Sequence, residues 1–168
     1  MTQFYTKAVP MVFMATAMIS GADGAERRGD PLKFFEGRTE SISTVKVIAK
    51  KPYRSRSLGR GQIRPDGTLY LVQRVEEGGR SPFDRRWRIR QIGPGKFSGT
   101  MSEATGPVTI SEIKGGFRFR FKMKGNLSVE QWLTPLPDGK SARTKVTIRK
   151  LGLTVGSSNG MIRRLSGG

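Results

Sequence analysis

Apolar and charged residues alternate along most of the chain from about residue 38 onward. The clearest case is segment 117–123, where three Phe and one Met occupy every second position and Arg118, Arg120 and Lys122 lie between them. Successive side chains of a β-strand point to opposite faces, so this segment has one apolar and one cationic face. The same alternation at 86–90 and 145–149 predicts two more strands.

Weaker alternation predicts further strands, and turn residues separate them. The additional strands are predicted at 38–49, 53–63, 68–76, 96–103, 107–113, 127–134 and 161–165. Glycine-containing pairs such as Asp66-Gly67 and Gly115-Gly116 lie between them and are typical of tight turns. We interpret the segment 157–160, Ser-Ser-Asn-Gly, as a further turn.

A short helix is predicted just before the first strand. Asp30 is a good N-cap, and Pro31 suits the first helical position because its missing N–H would have no helical partner there. Leu32, Phe34 and Phe35 follow and supply apolar side chains. No other segment of the mature chain has a helical pattern.

This order of elements favours a closed architecture. A meander of consecutive hairpins can close as a barrel or pack as a sandwich, and only closure removes its unpaired edges. We therefore predict an all-β antiparallel meander closed as a β-barrel of about eight to ten strands, with one short N-terminal helix. The aromatic faces would point inward and the cationic faces outward.

The first residues have the organisation of an export signal. Lys7 is followed by an apolar run at 8–20 and by the small residues Gly21, Ala22, Gly24 and Ala25. The run of about 13 residues is too short to span a bilayer of about 30 Å as a helix. We predict a signal peptide at 1–24, cleaved after Gly24 or Ala25, and a single domain at 25–168 that is periplasmic or secreted. Without cysteine, it cannot be a lipoprotein.

Composition narrows the chemistry. The sequence contains no Cys and no His, which excludes thiol nucleophiles, thiolate metal sites and histidine general bases. We expect no metal site, no cofactor and no enzymatic activity of those kinds. Hydrolysis by paired carboxylates stays open, but Glu103, Glu112 and Glu130 lie on three separate predicted strands.

The candidate ligand-binding residues are aromatic or cationic and lie on predicted inward faces. Arg85 and Trp87 are two positions apart and share one strand face. They would form either a cation beside a ligand mouth or a structural plug of the barrel. The remaining candidates, which would either line a cavity or fill a solid core, are Phe117, Phe119, Phe121 and Trp132.

A row of arginines forms a second candidate surface. The formal net charge of +18 predicts attraction to polyanions. On a regular strand one face would carry Arg54, Arg56, Arg60 and Arg64. This row is either a solvated cationic face or a contact for an anionic membrane surface or lipopolysaccharide. Nucleic acid is not an expected partner of an exported protein.

Several short motifs, in order along the mature chain, resemble the bacterial exported proteins grouped as domain of unknown function 3833. They are Leu32, Phe35-x-Gly37, Arg85-x-Trp87, Phe97-x-Gly99-x-Met101, Gly106, the aromatic segment 117–121, Trp132, Lys150-Leu151-Gly152 and Val155-Gly156. The resemblance implies a lipocalin-like, calycin-type barrel and carries no known activity.

Two functions remain open at the level of sequence. The first is an exported envelope protein that binds an apolar or amphiphilic anionic ligand inside the barrel. The alternative is a structural or interaction module with a filled barrel, which contacts anionic envelope components or a protein partner through its basic surface. The size of the internal cavity discriminates between them.

Overall fold

The computed structural model describes residues 30–166 as one helix and ten strands. The helix α1 is Pro31–Phe34. The strands are β1 (Gly37–Val47), β2 (Tyr53–Ile63), β3 (Leu69–Glu77), β4 (Phe83–Gly93), β5 (Lys96–Met101), β6 (Val108–Ile113), β7 (Gly116–Met123), β8 (Leu127–Pro135), β9 (Ser141–Lys150) and β10 (Leu153–Arg164). The predicted signal peptide at 1–24 and its cleavage site lie outside the described residues.

The strands form a closed barrel. Each strand pairs antiparallel with its neighbour in sequence, and β1 pairs with β10 so that Thr39 lies opposite Arg164. The prediction of an all-β antiparallel barrel with one short N-terminal helix is therefore confirmed. Within residues 30–166, no helix is long and apolar enough to cross a bilayer.

The two ends of the barrel differ. The turns β1–β2, β3–β4, β5–β6, β7–β8 and β9–β10 lie at one end, which we call the mouth end. Helix α1 and the other turns lie at the opposite end, the helix end. There the backbone N–H of Leu32 donates to the Asp30 carboxylate (2.8 Å), as predicted for an N-cap, and Leu32, Phe34 and Phe35 are buried.

A glycine lets the chain pass this helix closely. A Cβ on Gly61 of β2 would overlap the backbone carbonyl oxygen of Phe35, and backbone cannot move aside as a side chain can. The chain leaving α1 therefore sits directly on β2 and closes the helix end of the barrel.

The helix-end half of the interior is a packed core. Leu69 and Val108 are fully buried, and Leu133 is nearly so. Phe97 and Phe117 meet edge to face with ring centroids 6.3 Å apart, an arrangement that aromatic pairs favour. This half of the barrel is filled with side chains.

The interpretation of segment 157–160 as a turn is wrong. These residues lie inside β10, which pairs with β1 on one side and β9 on the other. Gly160 is needed there because a Cβ would overlap the backbone of β1. The turn preference of Ser-Asn-Gly is thus overridden by pairing on both sides, and the actual hairpin turn lies at Leu151-Gly152.

Candidate ligand-binding cavity

The mouth-end half of the barrel encloses a cavity of about 440 Å³. Its lining extends from buried residues such as Ile89 and Trp87 to Arg80, which lies in the exposed β3–β4 turn. The cavity therefore reaches solvent at the mouth end. The barrel is neither wholly filled nor wholly hollow, because the core occupies one half and the cavity the other.

One side of the cavity is aromatic. Trp87 on β4 and Phe119 and Phe121 on β7 line it, and the rings of Trp87 and Phe121 meet edge to face at 6.0 Å. The indole Nε1–H of Trp87 donates to the Gln73 side-chain oxygen at 2.7 Å. That hydrogen bond satisfies the polar atom of the ring and fixes its orientation. We call these three residues the aromatic wall.

Another side of the cavity carries hydroxyl groups. We call it the serine wall, and it consists of Ser41, Ser43, Ser55, Ser57 and Ser158. The register places Ser41 opposite Ser57 and Ser43 opposite Ser55 across β1 and β2. Within residues 30–166 these five hydroxyls make no hydrogen bond to protein, so they can bond to a guest molecule.

The serine wall follows a regular pattern in the sequence, but this pattern does not by itself identify a site. On β1 and β2 the serines alternate with outward-facing residues, as in Ser55-Arg56-Ser57. Ser and Arg are both polar, so their alternation lacks the apolar–polar pattern from which the buried face of a strand is normally assigned. Small polar residues at every second position suit a cavity or solvent equally, and strand pairing decides between the two.

An ion pair lies inside the cavity. The Nε of Arg85 donates to the carboxylate of Glu103 at 2.7 Å, and the two side chains are 27% and 26% exposed. The Ser102 hydroxyl donates to the other oxygen of this carboxylate. Arg85 thus points inward beside the aromatic wall, held in place by Glu103.

A second ion pair lies at the mouth. Arg80 contacts the Glu77 carboxylate at 3.2 Å. The guanidinium carbons of Arg80 and Arg85 lie 5.5 Å and 5.6 Å from the ring centroid of Phe83, so this ring contacts both cations. Burial, with the negative charge of Glu77 adding to it and the positive charge of Arg80 opposing it, raises the pKa of Tyr53.

The cavity brings together four of the six predicted ligand-binding residues. Arg85, Trp87, Phe119 and Phe121 line it, whereas Phe117 belongs to the packed core beside Phe97. Of the two roles considered for Arg85 and Trp87, the position of Arg85 on the cavity lining fits the cation beside a ligand mouth, and the ring that it lies over is that of Phe83.

The prediction that Trp132 faces the interior is also wrong. Its neighbours Gln131 and Leu133 point inward, so Trp132 lies half-buried on the outer face of β8. There it stands between Arg118 of β7 and Lys145 of β9. The segment around Trp132 has only weak alternation, and its large aromatic ring suggested the inner face.

The arginine row lies on the outer face of the barrel. Arg54, Arg56 and Arg60 alternate along β2 with residues that face inward, and Arg64 follows the strand. Arg56 contacts Glu40 at 2.8 Å, and Arg64 lies over the Tyr70 ring at 5.4 Å. The row does not line the cavity; it is the outer side of the strand that carries Ser55 and Ser57.

The three carboxylates considered for hydrolysis, Glu103, Glu112 and Glu130, do not converge on one site, and the second carboxylate that lines the cavity is Glu77. Glu103 lines the cavity, whereas Glu130 lies on the outer face between Arg120 (3.1 Å) and Arg149 (2.9 Å). The hydrogen bond from Arg149 lowers the pKa of Glu130. Glu76 faces outward toward Arg56 and Glu77 faces the cavity, because neighbours on a strand point to opposite faces. In the described part of the chain, no group of three acidic residues is placed to hold a metal ion.

The barrel has the lipocalin-like, calycin-type fold, as its similarity to solved structures shows. The S-type phycobiliprotein lyase CPES from Guillardia theta matches with a TM-score of 0.64 and 10% sequence identity, over 82% of this chain and 92% of that chain. The protein Rv2717c from M. tuberculosis matches with a TM-score of 0.61 and 10% identity, over 80% of this chain and 95% of that chain.

Sequence comparison adds no closer relationship. No protein-family model and no curated protein sequence matches the chain. The resemblance to domain of unknown function 3833 therefore stays a prediction.

Proposed function

We propose that this protein is a binding protein that holds an amphiphilic ligand with an anionic end inside its barrel. The observation that carries the proposal is the cavity of about 440 Å³, with an aromatic wall, a serine wall and the inward-facing Arg85. Cavities of about 300–1,000 Å³ with mostly apolar linings and a few placed polar groups are typical of small-molecule sites.

The lining indicates how such a ligand would lie. Its apolar part would pack against Trp87, Phe119 and Phe121, and its anionic group would approach the Arg85 guanidinium. The carboxylate of Glu103 orients this guanidinium and also lowers the net charge of the site. Hydroxyl or carbonyl groups along the ligand would find donors and acceptors on the serine wall.

We propose binding rather than catalysis as the role of this cavity. Two carboxylates line the cavity, and each is engaged by a cation. Glu103 accepts from Arg85 and Ser102, and Glu77 at the mouth contacts Arg80. The similar protein from Guillardia theta is a phycobiliprotein lyase, and at 10% identity this likeness supports the fold alone.

The export of this binding protein is a separate part of the proposal. The Lys7 start, the apolar run and the small residues up to Ala25 support secretion into the envelope, where the arginine row would meet anionic membrane or lipopolysaccharide. Mass analysis of the protein recovered from its host tests this part. A chain that still begins at Met1 in the cytoplasm would contradict it.

A second candidate is an interaction module that uses only its outer surface, and the filled half of the barrel is the observation that supports it. Native mass spectrometry of protein from its host discriminates between the two. A co-purified amphiphile supports the carrier. Uptake of a fluorescent fatty acid also supports it, provided that Phe121→Asp abolishes this uptake and still folds. A clean apo mass with no uptake of fluorescent fatty acid leaves the interaction module.

A further inference from the structure

Three large aliphatic side chains are exposed at the mouth end. Ile48, Leu151 and Leu153 are 65%, 83% and 73% exposed. Ile48 and Leu151 lie on the neighbouring turns β1–β2 and β9–β10, and Leu153 is the first residue of β10. The Ile48 N–H donates to the Val155 carbonyl of β10 at 3.0 Å, which holds the β1–β2 turn beside this strand. We call these three residues the mouth tip. Single exposed aliphatics are ordinary, but three on adjoining hairpins beside a cavity mouth form a concentrated apolar tip.

Lysines flank the mouth tip, and the two turns that form it contain no acidic residue. Lys50 and Lys51 follow Ile48, and Lys150 precedes Leu151. The segments 41–65 and 139–166 each contain seven Lys and Arg and no Asp or Glu. Arg56 and Arg149 of these segments pair with carboxylates on other parts of the barrel, whereas Lys50, Lys51 and Lys150 are in none of the described ion pairs. The tip therefore combines apolar side chains with lysine charges that are free to meet an anionic surface.

The backbone at Leu151 is unfavourable for a leucine. Leu151 and Gly152 have φ angles of 48° and 84°, so both central residues of this hairpin turn are left-handed. Turns of this kind favour Asn and Gly, and the β7–β8 turn of the same barrel uses Gly125 and Asn126 at its two left-handed positions. A leucine that is both strained and exposed gains nothing evident from the folded protein, which points to a contact with something else.

We infer that the mouth tip docks on an anionic lipid bilayer, with the cavity mouth facing the membrane. Ile48, Leu151 and Leu153 would enter the boundary between headgroups and acyl chains, and Lys50, Lys51 and Lys150 would contact lipid phosphates. Shallow apolar insertion beside basic residues is how peripheral proteins bind such surfaces.

The shape of the tip favours a bilayer over a protein partner. The three side chains project from two narrow hairpin ends instead of forming a flat face, and long lysine stems beside them can reach headgroups while their methylenes stay in apolar surroundings. Docking here would place the mouth, lined by Arg80 and Phe83, at the surface from which an amphiphile is extracted. This last step rests on the proposed ligand-binding function, whereas docking itself does not.

The test measures sedimentation of the chain, as recovered from its host, with phosphatidylcholine vesicles that contain or lack phosphatidylglycerol. The key variant is Leu151→Asn, which suits the turn better and removes the apolar side chain. We expect unchanged or higher thermal stability and a loss of vesicle affinity of about tenfold or more. Replacing Lys50 and Lys51 by Gln should cost roughly fivefold for each lysine on the anionic vesicles.

A matched control lies at the other end of the barrel. Ile92 is 60% exposed near the helix end, so Ile92→Asn removes a similar apolar side chain far from the mouth. We expect its vesicle affinity to equal that of the unaltered chain. Because all variants share the same N-terminus, residues 1–29 contribute equally to each measurement.

Three results would overturn the docking proposal. In the first, the unaltered chain does not bind anionic vesicles. In the second, Leu151→Asn and Ile92→Asn lose the same vesicle affinity. In the third, vesicle affinity falls when the lysines are replaced but not when Leu151 is. Uptake of a fluorescent fatty acid in solution separates this proposal from the preceding one. If the chain takes up the fatty acid and Leu151→Asn binds vesicles as well as the unaltered chain does, only the docking proposal is refuted. If the chain binds vesicles at the mouth tip but takes up no fatty acid, only the ligand carrier is refuted.

Discussion

Arg85 is the residue on which we expect the charge selectivity of the cavity to depend. It points inward at the level of the aromatic wall, while its neighbour Arg86 points out to solvent. Replacing either residue by Met removes the same charge from the chain, but only Arg85→Met removes a cation from the cavity. The two variants therefore separate a local contact from the general attraction of a basic protein.

We expect Arg85→Met to weaken binding of a fatty acid by about tenfold or more, because a hydrogen bond to a charged group is lost in a partly dry site. Binding of the corresponding fatty alcohol should change little. Titration of both ligands by isothermal calorimetry measures the difference, with Arg86→Met as the control. Equal losses for acid and alcohol would show that Arg85 does not bind the anionic end.

The two tryptophans report on opposite faces of the barrel. Trp87 lines the cavity and Trp132 lies on the outer face. In Trp132→Phe, a brominated fatty acid bound inside should quench the remaining fluorescence strongly, because quenching by bromine needs near contact. In Trp87→Phe the remaining Trp132 should be quenched weakly. The reverse result would place Trp132 inside and contradict the register of β8.

At the scale of elements, the closure of the helix end depends on Gly61. In Gly61→Ala the new methyl group meets the Phe35 carbonyl, so α1 must shift off β2. We expect a loss of about 1–3 kcal/mol in the free energy of unfolding, as for other overpacked sites. Gly93→Ala is the control, since a Cβ there meets no atom within 4 Å. Urea unfolding of both variants measures the losses, and equal values would contradict the proposed contact.

The outer face of β8 and β9 should make stability depend on pH. Arg149, with help from Arg120, lowers the pKa of Glu130 below its usual value of 4.5. Its carboxylate therefore stabilises the fold above about pH 4.5, and this contribution is lost as the pH falls through the lowered value. Because the arginines are largely exposed, we expect at most about 1 kcal/mol.

Thermal melts of the unaltered protein and of Glu130→Gln test this dependence. The unaltered protein should be the more stable of the two at pH 7, and the difference should shrink as the pH falls below about 4.5. A difference that is constant with pH would mean that Glu130 acts through packing rather than charge.

The sequence predicted elements better than faces. Segments with strong alternation, such as 117–123, were placed correctly because one buried face fixes the register of a strand. The sequence also contained the cap at Asp30 and the helix after it. Trp132 was misplaced because an aromatic ring on a basic outer face looks like a core residue, although arginine and lysine stems flank it there.

The serine wall could not be derived as a site from the sequence. Whether Ser41 and Ser57 face a cavity or solvent depends on pairing between strands and on closure by β10, which are long-range contacts. Likewise, the sequence of 157–160 predicts a turn locally, and only its two partner strands make it part of β10. The cavity itself follows from the sum of side-chain volumes around the whole barrel.

At the scale of the whole molecule, polarity is divided between inside and outside and between the two ends. The formal charge of +18 lies mostly on outward faces, while the cavity holds Arg80 and Arg85 with Glu77 and Glu103 as partners. The cavity is therefore close to neutral within a strongly basic shell. Such a shell raises the local concentration of anionic molecules without requiring that the site itself be highly charged.

The pairing of β1 with β10 also determines how the chain must fold. This seam joins residues about as far apart in sequence as the domain permits, as Thr39 and Arg164 do, so the ring cannot close until its last strand is available. Until then β1 offers an unpaired edge that invites association with other chains. Because hydrogen bonding around the ring has no first or last strand, a circular permutant with new termini at the β5–β6 turn should keep the barrel while moving this late-closing seam elsewhere.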